Sequence, residues 1–272
     1  MSWGGTEAGY AAAGVSETGS DSIYTTPAAR FSASPKQGVT FVASTGDSGA
    51  PGGYPAYSPN VVAAGGTSLY LTTSLSYSRE TAWSYTSGTW GSWGGGGGVS
   101  TAEPKPSYQQ TSAHGSVLTN ASNRAIPDVS MVSDPNTRVY TYDSYNGGYF
   151  SIGGTSLAAP CWAGLIADAD EIRDNEGYGT LDGFSQTLPA LYSLPSSDFN
   201  DITSGNISPT GDPAYSAGPG YDLATGLGTP IANTLVPDLA NYQVVPEPST
   251  LALLGIAGMI ALGRAFWRRR LR

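Results

Sequence analysis

The sequence predicts an α/β domain built around a mostly parallel central sheet, and three stretches carry that prediction. Val39-Thr40-Phe41-Val42-Ala43 and Val61-Val62-Ala63-Ala64 are short apolar runs rich in β-branched residues and free of polar alternation, the pattern of strands covered on both faces. The segment from Thr155 through Trp162, Leu165 and Ile166 reads as a helix running into the core. Glycine-rich turns separate these elements. The chain divides into one domain over residues 1–240, a linker with a Pro-Glu-Pro motif over 241–250, and a hydrophobic segment with a basic end over 251–272. No internal repeat is evident.

Taken in order, the first strand ends abruptly at Gly46-Asp47-Ser48-Gly49. Functional groups in open α/β sheets gather at the carboxyl ends of strands, so Asp47 is a candidate for chemistry, although a structural turn aspartate fits the same four residues. Gly94–Gly98 is a run of five glycines and predicts a flexible turn. Gly154-Thr155-Ser156-Leu157-Ala158-Ala159-Pro160 places a serine on the first turn of the long helix, with small neighbours that let a substrate backbone approach its hydroxyl. Pro160 is expected within that first turn, where no backbone N–H bond is lost. The positive end of the helix dipole would face a developing oxyanion. A capped helix with small packing residues fits the same stretch, so the motif alone does not choose between the two.

Composition narrows the field. Residues 1–244 carry 7 basic and 20 acidic side chains, a net charge of −13, which argues against nucleic-acid binding, whereas the tail from Val245 has five arginines and one glutamate. A single cysteine excludes an internal disulfide, and Cys161 beside Trp162 reads as a small core residue. The tripeptides Asn120-Ala121-Ser122 and Asn206-Ile207-Ser208 fit the glycosylation pattern and are expected to be unmodified.

Several motifs in one order resemble the sedolisin family of serine-carboxyl peptidases: Ser2-Trp3-Gly4, Gly46-Asp47-Ser48-Gly49, Tyr54-Pro55-Ala56, Gly65-Gly66-Thr67-Ser68, Pro127-Asp128-Val129-Ser130, the Ser156 motif, Asp201-Ile202-Thr203 and Gly218–Gly228. The resemblance implies a subtilisin-like three-layer fold, incomplete at the N-terminus, in a monomeric serine-type endopeptidase acting on protein or peptide substrates. It implies that Ser156 attacks the scissile carbonyl and that Asp47, as a protonated carboxyl, donates to the oxyanion, which favours acidic pH. Ser2, Trp3 and Gly4 would pair with the substrate backbone. Asp201, the Ile202 carbonyl, Gly218, Gly220 and Asp222 would hold a structural calcium ion.

The family takes its base from a Glu and an Asp four residues apart on a helix preceding the Ser-Trp-Gly strand, and Met1 abuts that strand here. The base pair is therefore expected to lie upstream, and the 272-residue chain is expected to be inactive alone. Glu17 and Asp21 have the right spacing, but they follow the strand, and Gly14 and Gly19 argue against a helix. They read as solvated loop acids. His114, the one histidine, reads as a surface-loop residue.

Val245-Pro246-Glu247-Pro248, the apolar run Leu251–Leu262 and the terminal arginines resemble the bacterial PEP-CTERM sorting signal. That resemblance implies export, processing by an exosortase and retention at the cell envelope. The 17 residues from Leu251 to Trp267 are near the lower limit for spanning a hydrocarbon core of about 30 Å, with the basic end cytoplasmic. The alternative function is a catalytically dead, envelope-associated binding module or a gene fragment.

Overall fold

A computed structural model describes residues 1–25, 37–86, 92–110, 114–137, 139–208 and 211–243. Met1–Tyr242 form one compact unit. The expectations for the Pro-Glu-Pro motif and the hydrophobic tail lie outside the described residues. Among the described residues no helix is long and apolar enough to cross a membrane.

The sheet is assembled on its longest strand. β1 (Phe41–Ser44) pairs in parallel with β2 (Val61–Leu71), Val42 opposite Val62. The distal half of β2 pairs antiparallel with β3 (Tyr77–Ala82). A short ribbon and a longer pair follow: β4 (Ser84–Thr86) with β5 (Ser92–Gly94), and β6 (Gly98–Pro104) with β7 (Asn123–Ile126). β8 (Val129–Val132) returns to β2 in parallel, Ala64 opposite Val129. A surface hairpin, β9 (Val139–Asp143) and β10 (Gly148–Ile152), then leads into the long helix Thr155–Asn175, and β11 (Phe199–Asn200) pairs with β12 (Thr229–Pro230). On the free side of β1, Met1 continues the parallel pattern: its amino group donates to the Val42 carbonyl at 2.5 Å and its carbonyl accepts from Ser44 N at 2.9 Å.

Both faces of this sheet are covered, which is why its strands lack polar alternation. Successive side chains point to opposite faces. Val42, Val62, Ala64 and Val129 pack with Ala158, Ala159, Trp162 and Ile166 of the long helix. Ala43, Val61 and Ala63 face the other way, toward Tyr24, Tyr54, Tyr57 and Ile126. Trp162 is fully buried, and its indole N–H donates to the Ser130 carbonyl at 2.9 Å.

The Pro127-Asp128-Val129-Ser130 motif is explained by a charge held in the core. Arg124 and Asp128 are both completely buried and joined by two hydrogen bonds of 2.6 Å. Asp128 also accepts from Ala63 N and from the Tyr192 hydroxyl, each at 2.7 Å, so its carboxylate is well supplied with donors. Such a pair survives burial because the terminal guanidinium nitrogens also donate to the Ala125 and Val61 carbonyls, at 2.8 and 3.3 Å, although Arg124 Nε is left without a partner.

The glycine run departs from expectation. Gly94–Gly98 is not a flexible turn: all five residues are buried, and the segment is pinned by Gly94 N to Asp47 O at 3.0 Å, Gly95 N to Trp83 O at 3.0 Å and Gly96 N to Gly46 O at 2.8 Å. A Cβ on Gly96 would run into the Thr45 carbonyl. The glycines are there so that backbone can lie against backbone, beside the end of β1.

Candidate active site

The end of β1 and the start of the long helix meet. The Gly46 amide donates to the Thr155 hydroxyl at 3.1 Å, and that hydroxyl donates to Asp47 Oδ1 at 2.8 Å. Thr155 N also donates to Oδ1, at 2.7 Å, so one oxygen of Asp47 is held by the first residue of the helix. Gly154 sits before that helix with φ +83°, a left-handed conformation that suits glycine. A side chain there would also meet Asp47 Oδ2 at 2.6 Å.

Asp47 and Ser156, 109 positions apart in the chain, line one cleft of about 330 Å³ together with Ser2, Trp3, Gly4 and Gly46. The N-terminal segment forms one wall and is fixed by two backbone hydrogen bonds of 3.0 Å between Gly5 and Tyr54. Trp3 is 60% exposed there. The helix is longer than the position of Pro160 suggests from sequence. Pro160 falls in its second turn rather than its first, and the Ser156 carbonyl, left without the N–H of residue 160, accepts from the Ser2 hydroxyl at 3.2 Å. The proline thus ties the helix to the cleft wall. Cys161 is half-buried rather than part of the core, and burial pushes its thiol pKa up.

Among the described residues Asp47 is the one acid lining this cleft, and no histidine lines it. His114 lies at a separate cavity with Tyr108 and Tyr192, its Nε2 2.6 Å from the Tyr192 carbonyl.

Glu17 and Asp21 are not solvated loop acids. A short helix, Glu17–Ser20, forms despite Gly19 because the Ser16 hydroxyl accepts from Gly19 N at 3.1 Å. Glu17 is only 4% exposed. These acids join Glu7 and Glu103 behind the cleft wall. Glu7 accepts from the Ser100 hydroxyl and, at 2.9 and 2.8 Å, from Thr101 N and Oγ1, while Asp21 accepts from the Tyr54 hydroxyl at 3.3 Å. Desolvation, with Glu7 close by, pushes Glu17 up to about 7. Desolvation, with Asp21 next to it, pushes the fully buried Glu103 up to about 8. Desolvation also raises Asp21, against the donors it accepts from and the Arg124 charge. Sequence reasoning missed this cluster because Glu7 and Glu103 are 96 positions apart and no local spacing relates them.

Four of the five residues expected to bind calcium, Asp201, Gly218, Gly220 and Asp222, meet at one turn. Gly218 N donates to Asp222 Oδ2 at 2.8 Å, and Gly220 N donates to Asp201 Oδ2 at 3.0 Å. Asp222 is 5% exposed, and desolvation raises it to about 6 even though three backbone N–H groups donate to it. One carboxylate on a tightly curled turn, poorly solvated, and a second brought against it suit a hard cation. Among the described residues no group of three or more His, Cys, Asp or Glu forms a metal cluster, so backbone carbonyls would have to complete the coordination.

With that geometry in hand, comparison with known proteins is specific. The pattern of the subtilase family matches residues 1–182, and that of the PEP-CTERM protein-sorting motif matches residues 244–270. Kumamolisin from Bacillus sp. (strain MN-32) is 37% identical over 260 residues, covering 91% of this chain and 43% of that protein. Sedolisin from Pseudomonas sp. (strain 101) is 36% identical over 215 residues, covering 73% of this chain and 34% of that protein. The chain therefore spans less than half the length of these two relatives. The solved structure of Pseudomonas sedolisin, a serine-carboxyl proteinase complexed with two molecules of pseudo-iodotyrostatin, superposes with a TM-score of 0.72 at 33% identity, covering 87% of this chain and 63% of that one.

Proposed function

Because this chain belongs to the subtilase family, with sedolisin-type peptidases as relatives, we propose that it is a serine-type endopeptidase domain in which Ser156 forms an acyl-enzyme and Asp47 stabilises the tetrahedral oxyanion. The observation that carries the reading is the shared cleft: hydroxyl, acid and the Ser2–Gly4 wall border the same space.

Each residue then has a physical task. Thr155 holds Asp47 Oδ1 as an acceptor, so a proton on the carboxyl belongs on Oδ2 and can be given to an oxyanion. The role requires a neutral acid, which makes the reaction acid-favouring. The N-terminal end of the long helix adds its dipole. Ser2, Trp3 and Gly4 would align an extended peptide by backbone pairing. The proton acceptor for Ser156 is not among the residues lining the cleft, and the family resemblance assigns it to a Glu-x-x-x-Asp helix ahead of Ser2.

The test is proteolysis of a denatured protein substrate at acid pH. The 272-residue chain should show no turnover above Ser156→Ala, whereas a longer chain carrying that helix should show turnover that Ser156→Ala abolishes. Absence of Ser156-dependent cleavage in the longer chain would remove the enzyme reading. A peptide-binding module without turnover is the second reading, favoured by the cleft's lack of a second acid or a histidine.

Asp201, Asp222 and the carbonyls of Ile202, Gly218 and Gly220 would hold a calcium ion whose work is structural, pinning this turn. Thermal unfolding with calcium and with chelator should differ by several degrees, and Asp201→Asn should erase the difference; an unchanged midpoint would rule the ion out. The sorting motif supports an envelope location after export and exosortase processing.

A further inference from the structure

A second cavity, also of about 330 Å³, lies beside the nucleophile loop and is lined by Trp83, Tyr85, Trp93, Pro135, Gly153 and Gly154. It shares no lining residue with the cleft that holds Asp47 and Ser156. Gly154 and the Asp47 carboxyl stand where the two meet, so close that a Cβ on Gly154 would touch Asp47 Oδ2. Trp93 is fixed relative to the same acid: the next residue, Gly94, donates its N–H to the Asp47 carbonyl at 3.0 Å and accepts from Gly49 N at 2.8 Å.

Among the described residues no charged side chain lines this slot. Trp93 is 40% exposed, while Trp83 is fully buried with its indole N–H unmatched by an acceptor. The floor and walls are rings and backbone, at a volume suited to a single large side chain.

We infer that this slot receives an aromatic side chain from one of the first two residues beyond the scissile bond, making it the leaving-group side of the substrate site. The inference rests on the peptidase reading for its polarity. A peptide aligned along Ser2–Gly4 with its carbonyl at Ser156 has its acyl side in the first cleft. The rest of the chain must leave past Asp47 and Gly154, where the slot begins. Acidic residues are disfavoured there because nothing in the lining replaces their hydration.

The test uses calorimetric titration of the Ser156→Ala chain with four dipeptide amides: Ala-Phe, Phe-Ala, Ala-Ala and Ala-Asp. One of the aromatic amides should bind about tenfold more tightly than Ala-Ala, as burial of a ring in an apolar slot implies, and Ala-Asp should bind more weakly. Tyr85→Ala and Trp93→Ala should each reduce the aromatic preference to below about threefold, and Trp93→Phe should restore most of it, with unchanged circular dichroism as the folding control. The preference should persist in saturating acetyl-Ala-Ala-Ala acid, an acyl-side fragment. Equal affinities, no measurable binding of either aromatic amide, a preference that survives both alanine variants, or loss of the preference under competition would each overturn the assignment. Ser156-dependent cleavage by the longer chain is a separate readout. If cleavage fails while the preference and its variant dependence hold, the peptidase reading falls and the aromatic slot remains.

Discussion

The buried carboxyl cluster makes stability fall as pH rises from acid to neutral. Burial pushes the fully buried Glu103 up to about 8 and Glu17, 4% exposed, up to about 7, against 4.5 for an ordinary glutamate. The groups facing them are Glu7, Asp21, Tyr54, Tyr57 and, from β7, Arg124, whose charge is already taken up by Asp128. A carboxyl that holds its proton more tightly when folded stabilises the fold fully below its unfolded pKa and loses that contribution as pH passes its folded pKa. Between pH 5 and 8, the Glu103–Asp21 pair accounts for a loss on the order of 3 kcal/mol at about 1.4 kcal/mol per pH unit of displacement. For a domain of this size that is a fall in Tm of roughly 10 °C. Asp170, raised to about 6 chiefly by desolvation, adds to the fall in the lower part of the window. The assay is thermal unfolding of the chain and of Glu103→Gln at half-unit steps across this range. Glutamine keeps the shape and cannot ionise, so the variant should lose about half of the pH-dependent fall. A wild-type Tm that is flat or rising over pH 5–8, or a Glu103→Gln profile with the whole fall retained, would refute the reasoning.

Two further outcomes test the frame around the site. Asp128→Ala strands the Arg124 guanidinium in the core and should cost about 3–5 kcal/mol in urea unfolding; a loss below about 1 kcal/mol would show the pair to be dispensable. Gly96→Ala drives a methyl group into the Thr45 carbonyl and, through the bond from Gly96 N to Gly46 O, displaces the loop carrying Asp47. It should destabilise by about 1–3 kcal/mol, and an unchanged unfolding midpoint would contradict the close packing seen here.

The linear chain announces some of this protein by itself. Apolar runs without alternation mark the strands covered on both faces, and small residues around Ser156 mark a helix whose first turn leaves a hydroxyl approachable. Motif order relates these pieces to a family, because each motif is short and local. Other features belong to the tertiary structure alone. Glu17 looks like a loop acid until β6 and the segment around Glu7 close over it, and burial, not spacing, then sets its proton affinity. Five glycines signal freedom in an isolated chain, yet here they permit contact with Thr45 and Ile207 carbonyls too close for any side chain. Pro160 reveals its effect only when Ser2 arrives at the carbonyl it leaves free. The division follows from physics: propensity and periodicity act between near neighbours, whereas desolvation and steric fit depend on groups brought together from distant parts of the chain.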